Sequence, residues 1–152
     1  MKKLSNPALS AILPQSDLRA DDVISAPQRT AADGGHRLRW WRTMPPGMFT
    51  SDDRRALQDI LSGTAIIGER DWKYARRGCA ASAFGIALPM IPIVRSGPVV
   101  DLAMSAVLLC ALNGNGAASG VMVHALRSLA GGRELAAEWR EAELPQVGRL
   151  GC

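Results

Sequence analysis

Two charge-poor apolar runs, Cys79 to Val94 and Val99 to Val123, separated by Arg95-Ser-Gly-Pro98, constrain this chain more than any other feature in it. The first holds 16 residues without a charge. As a helix it would rise roughly 24 Å, short of a hydrocarbon core of about 30 Å. Pro89 and Pro92 shorten it further, because each removes a backbone donor and clashes with the preceding turn. The second run holds 25 residues and one acid, Asp101, in what would be its first helical turn, where the partial positive charge of unsatisfied amides favours a carboxylate. The expected fold is all-α: a helical hairpin of two apolar helices, transmembrane, flanked by short amphipathic helices.

Two features of the second run point in opposite directions. Ala106, Cys110, Gly114 and Ala118 step by four, and Gly116 and Gly120 form a G-x-x-x-G; such small faces let helix backbones approach closely in a bilayer. These make Ala106, Cys110, Gly114, Gly116 and Gly120 the expected helix-packing residues. Asn113-Gly-Asn-Gly116, however, is a turn signal. If it breaks the helix, the runs become three short segments that suit a compact soluble bundle better than a bilayer.

Charge is unevenly placed. The net charge is +4, and Arg outnumbers Lys by 15 to 3. Residues 36–78 carry 9 basic and 5 acidic groups, whereas 79–126 carry one of each. Lys73, Arg76 and Arg77 precede the hairpin, Arg127 and Arg133 follow it, and Arg95 stands alone in its loop. Under the positive-inside rule both termini then lie on the cytoplasmic side, which for so Arg-rich a chain suggests a bacterial inner membrane. The basic segment also suits an anionic lipid surface; nucleic acid is less favoured, since no helix-turn-helix, zinc or single-strand-binding pattern accompanies the charge.

The remaining chain divides into 1–35, a polar tail expected to be disordered; 36–77, a basic amphipathic segment; the hairpin, 78–126; and 127–152, an amphipathic helix and tail. Lys2 and Lys3 precede a stretch too polar and proline-interrupted for a secretory h-region. His36-Arg-Leu-Arg-Trp-Trp-Arg42 interleaves tryptophan and arginine, as at a headgroup layer, with burial against the next helix as the alternative. Thr50 or Ser51 should cap a helix carrying Leu57, Ile60 and Leu61 on one stripe and ending at Gly63. A basic helix is expected over 69–77, and another over 133–144 with Leu135 and Trp139 on one face. Trp40, Trp41, Trp72, Arg76, Arg77, Arg95 and Arg127 are the expected membrane-interface residues.

No constellation demands a chemistry. His36 and His124 are the only histidines, no nucleophile motif, phosphate loop or metal-ligand spacing occurs, and the paired acids fall in polar loops or on helix faces. Neither catalytic residues nor a cofactor or metal are expected. The leading expectation is a small integral membrane accessory protein that packs against partner helices or another copy of itself. The alternatives are a secreted effector whose hairpin enters a target membrane, and a soluble helical bundle binding a protein or nucleic acid.

Overall fold

The structure, a computed structural model, describes residues 34–142. The expectations for the tail before residue 34 and for the chain after Ala142 lie outside the described residues. Within them the fold is helical, with no strand. A helical turn at 34–37 leads into a 3-10 turn, Trp40–Arg42, and a second, Pro46–Met48. Six helices follow: α1 (Ser51–Ser62), α2 (Trp72–Ala75), α3 (Ala80–Ala87), α4 (Pro98–Leu112), α5 (Gly116–Ser128) and α6 (Arg133–Glu141).

The core is arranged around α4. Every residue from Ala103 to Leu112 is buried, because α1, α3, α5 and the Trp40–Arg42 turn all pack on this helix. A helix apolar all round needs neighbours on every side; here the chain itself supplies them. Met104, Val107, Leu108 and Leu109 are fully enclosed, and each such aliphatic side chain contributes about 1.5–3 kcal/mol when removed from water. α6 packs on α5, where Trp139 and Ala136 close the far side of the core.

No helix among the described residues is long and apolar enough to cross a membrane. The expected transmembrane hairpin is thus unsupported, and the reason lies in two sets of stop signals. Pro89 falls in a 3-10 turn, Leu88–Met90, directly after the eight residues of α3, and Ile91 before Pro92 is already extended (φ −96°, ψ 131°), as a residue preceding proline prefers. The second run is cut at Asn113–Asn115. Gly114 takes φ 85°, its N–H donates to the Ala111 carbonyl at 2.9 Å, and the Asn115 N–H reaches back to Cys110 O at 3.1 Å. That is a Schellman closure of α4. Asn115 then opens α5, its side-chain oxygen accepting from the Ala118 N–H at 3.0 Å. One short polar stretch ends one helix and starts the next.

The amphipathic helices follow their patterns. Thr50 and Asp53 form a reciprocal capping box on α1, whose buried stripe is Leu57 and Leu61 and whose end is Gly63. The basic helix expected over 69–77 is shorter, Trp72–Ala75, closed by Gly78 at φ 91°, whose N–H donates to Ala75 O at 3.0 Å; Arg76 caps α1, its Nη1 donating to Ser62 O at 2.7 Å.

Candidate docking surface

Among the described residues a buried polar contact holds the Trp-Trp-Arg turn to the start of α4. Asp101 and Ser105 stand one turn apart on an otherwise apolar helix, and both are buried. Asp101 Oδ1 accepts from Trp41 Nε1 at 2.9 Å and from Arg42 Nε at 3.1 Å, while Oδ2 accepts from Arg42 Nη2 at 3.2 Å. Ser105 Oγ donates to Leu38 O at 3.0 Å. A carboxylate taken out of water needs a charge partner and filled lone pairs, and this one has both.

The clasp fixes one end of the bundle, where two loops meet. Ile93 N–H donates to Ser128 Oγ at 3.0 Å, and Ser128 Oγ donates in turn to Ala125 O at 2.7 Å, so the loop before α4 is tied to the last turn of α5. Between them opens a groove of about 870 Å³, bordered by residues 92–96 and 128–132, with Leu135 and the half-buried Arg42 in its wall. Two of the Arg42 nitrogens serve Asp101, which leaves guanidinium donors for an anionic group.

What sets this end apart is the absence of carboxylates beside exposed apolar side chains. From Cys79 to Val100 there is no Asp or Glu, and Arg95 is the one charge. Val94 is 87% exposed, Val99 49% and Leu88 47%, and Pro89, Pro92 and Pro98 are exposed beside them. Arg127, in the last turn of α5, and Arg133, the first residue of α6, stand exposed on either side of the adjoining loop, with a single acid, Glu134, beside them. The other helical faces differ: α1 exposes Ser51, Asp52, Arg55, Gln58 and Asp59, and α6 exposes Glu134, Glu138, Arg140 and Glu141.

The residues singled out from sequence are scattered. Trp40, Trp41 and Trp72 lie in the core rather than on an exposed rim. Trp40 meets Phe49 edge-on at 6.0 Å, Phe49 meets Trp139 at 6.2 Å, and Trp72 Nε1 donates to Thr64 O at 2.8 Å. Arg76 caps α1, while Arg77, Arg95 and Arg127 are exposed. The small-residue ladder does not lie on one helix: Ala106 and Cys110 are buried within α4, Gly114 forms the turn, and Gly116 and Gly120 face open space on α5. Cys110 Sγ lies 3.4 Å from Gly78 O, and burial pushes its thiol pKa up to about 12. Cys79, at the start of the first apolar run, is half-buried.

Sequence reasoning placed Asp101 as a helix-start residue, which it is, but missed its clasp and the exposed Leu88, Val94 and Val99. The clasp had a signal: Asp101 and Ser105 share one face, and Trp41-Arg42 is a donor-rich pair. The exposed valines had none, since in sequence they are indistinguishable from the buried apolar residues of the same runs. Among the described residues no three His, Cys, Asp or Glu side chains are placed to hold a metal ion. No protein-family model, curated protein or solved structure matches the chain.

Proposed function

We propose that this chain is a non-catalytic accessory protein that docks on another macromolecular surface through the bundle end formed by Leu88–Val99 and the loop after α5. The observation that carries the reading is Val94, 87% exposed on a segment without carboxylates and flanked by exposed Leu88 and Val99. Clustered exposed aliphatic side chains cost free energy in water, and on a soluble surface such patches mark contact sites. The clasp of Asp101 and the Ser128 bridge support the reading, because they hold the end in shape before any contact forms, which lowers the ordering cost of binding.

The reading asks for no helix through a bilayer. α4 has 15 residues and rises about 22 Å, short of a hydrocarbon core of about 30 Å. It keeps the accessory role expected from sequence and moves the contact from the small-residue ladder to the bundle end.

Size-exclusion chromatography of an extract from cells that make the protein tests this. The wild-type chain should elute in a larger assembly, with membrane vesicles or with protein, and Val94→Asp combined with Leu88→Ser should return it to the position of a free 16.2 kDa chain. Ile67→Asp, at a fully exposed site elsewhere, should leave the assembly intact. A wild-type chain that elutes alone, or a double variant that stays in the assembly, would contradict the proposal.

A further inference from the structure

We infer that the surface on which this end docks is an anionic lipid bilayer, the exposed aliphatic side chains entering the headgroup region and the surrounding arginines meeting lipid phosphates. The inference rests on the docking role proposed above and names its partner.

Shape supplies the first argument. Val94, at 87% exposure, stands proud of the loop, and Leu88 and Val99 flank it at 47% and 49%. A protein partner would have to offer a matching hollow for each protruding side chain. The interfacial layer of a bilayer is soft and accepts convex apolar tips without one, as it accepts the apolar face of an amphipathic helix.

Charge supplies the second. Arg95 lies beside Val94 in the chain, and Arg127 at the end of α5 and Arg133 at the start of α6 are exposed on either side of the adjoining loop, against the single acid Glu134; Asp101 is buried and neutralised by Arg42. A net positive rim around an apolar tip complements an anionic leaflet, where each basic side chain near the surface strengthens binding roughly fivefold. The same rim disfavours a second copy meeting end to end, since each end would bring its own three arginines. One polar backbone group of the proline-bounded loop is held within the protein: the Ile93 N–H is satisfied by Ser128, so insertion does not strip that group of its partner.

The test is co-sedimentation of the full chain with vesicles of phosphatidylcholine alone and of phosphatidylcholine containing phosphatidylglycerol. Wild type should bind the anionic vesicles, weaken as salt is raised, and bind the neutral ones far less. Val94→Asp should lower the partition coefficient at least tenfold, about the worth of one aliphatic side chain withdrawn from apolar surroundings, and Arg95→Gln should lower it roughly fivefold. Thermal melts by circular dichroism should match wild type for both variants, because neither side chain is buried.

Failure of wild type to bind anionic vesicles would overturn the lipid inference. Equal binding by the Val94→Asp variant would overturn it too, assigning the attraction to basic residues elsewhere. If the vesicles are ignored while the Val94 and Leu88 substitutions still dissolve the assembly in extracts, the docking role stands and its partner is a protein. If the substitutions change neither experiment, both readings fall.

Discussion

The Arg42 guanidinium forks onto the Asp101 carboxylate across 59 residues of chain, Nε to Oδ1 at 3.1 Å and Nη2 to Oδ2 at 3.2 Å. With the Trp41 indole N–H on the same carboxylate at 2.9 Å, this contact decides where the segment before α1 crosses the start of the buried α4. It converts a Trp/Arg-rich stretch, read alone as surface-seeking, into part of the core.

Removing the acid should therefore unfold more than a helix end. Asp101→Ala leaves the Trp41 N–H buried and unpaired, and Arg42, whose side chain is 25% exposed, without its partner. A fully buried pair broken this way loses about 3–5 kcal/mol; with Arg42 partly hydrated the expected loss is about 2–3 kcal/mol in urea unfolding. Asp101→Asn keeps an acceptor for Trp41 and should lose about half as much. A loss below about 0.5 kcal/mol for the alanine variant would show that the clasp is not needed.

The α1 capping box predicts a pH effect of definite sign. Hydrogen bonds from the Thr50 backbone N–H and hydroxyl to Asp53, with a smaller contribution from the charge of Arg37, hold the Asp53 carboxyl below the ordinary carboxylate value. A depressed folded-state pKa stabilises the fold above the unfolded value of about 3.9, and that stabilisation fades as pH falls through the lower folded value. NMR titration of the Asp53 side chain should show its inflection below that of a free aspartate. Thr50→Ala should move the inflection up and cost about 1 kcal/mol.

Two glycines should respond oppositely to alanine. A Cβ on Gly132 would overlap the Leu126 carbonyl oxygen and press on Leu129 Cβ at 3.3 Å, at the tight corner between α5 and α6. Gly132→Ala should cost about 2–3 kcal/mol. Gly120, inside α5, has nothing within 4 Å of an added Cβ, so Gly120→Ala should stabilise by about 0.5–1 kcal/mol. Thermal melts of the pair check both; destabilisation by Gly120→Ala would reveal a close helix contact on that face.

Cys110 should be chemically silent while the protein is folded. It is 1% exposed and its thiol is pushed up to about 12 by burial, so almost no thiolate exists at neutral pH and reagents cannot reach it. Alkylation followed by peptide mapping should leave Cys110 unmodified in buffer and modify it fully in denaturant. Rapid labelling of the native chain would contradict the packing of α4 against Gly78.

The stop signals were legible in the residues and decided the fold class. Thr50, Gly63, the prolines of the first run and the Asn-Gly pairs act through local backbone geometry, so sequence alone places them. What sequence could not rank was the Asn113–Asn115 turn against the small-residue ladder, since small residues such as Ala106 and Cys110 are compatible with a partner helix or with burial inside the chain's own bundle. Nor could it pair Asp101 with Arg42, a contact formed only once α4 and the Trp40–Arg42 turn meet. The site was the least legible part: in one apolar run Val94 faces outward and Ile93 inward, and only tertiary structure separates neighbours in an irregular loop.

The docking end is tested most directly by placing a photo-reactive amino acid at position 94 and, in a separate chain, at position 67, and irradiating cells that make each protein. Ile67 is fully exposed and Val94 nearly so, so exposure alone predicts equal yields. The account predicts adducts, to lipid or protein, from position 94 and background from position 67. Equal adducts from both, or adducts from 67 alone, would contradict it.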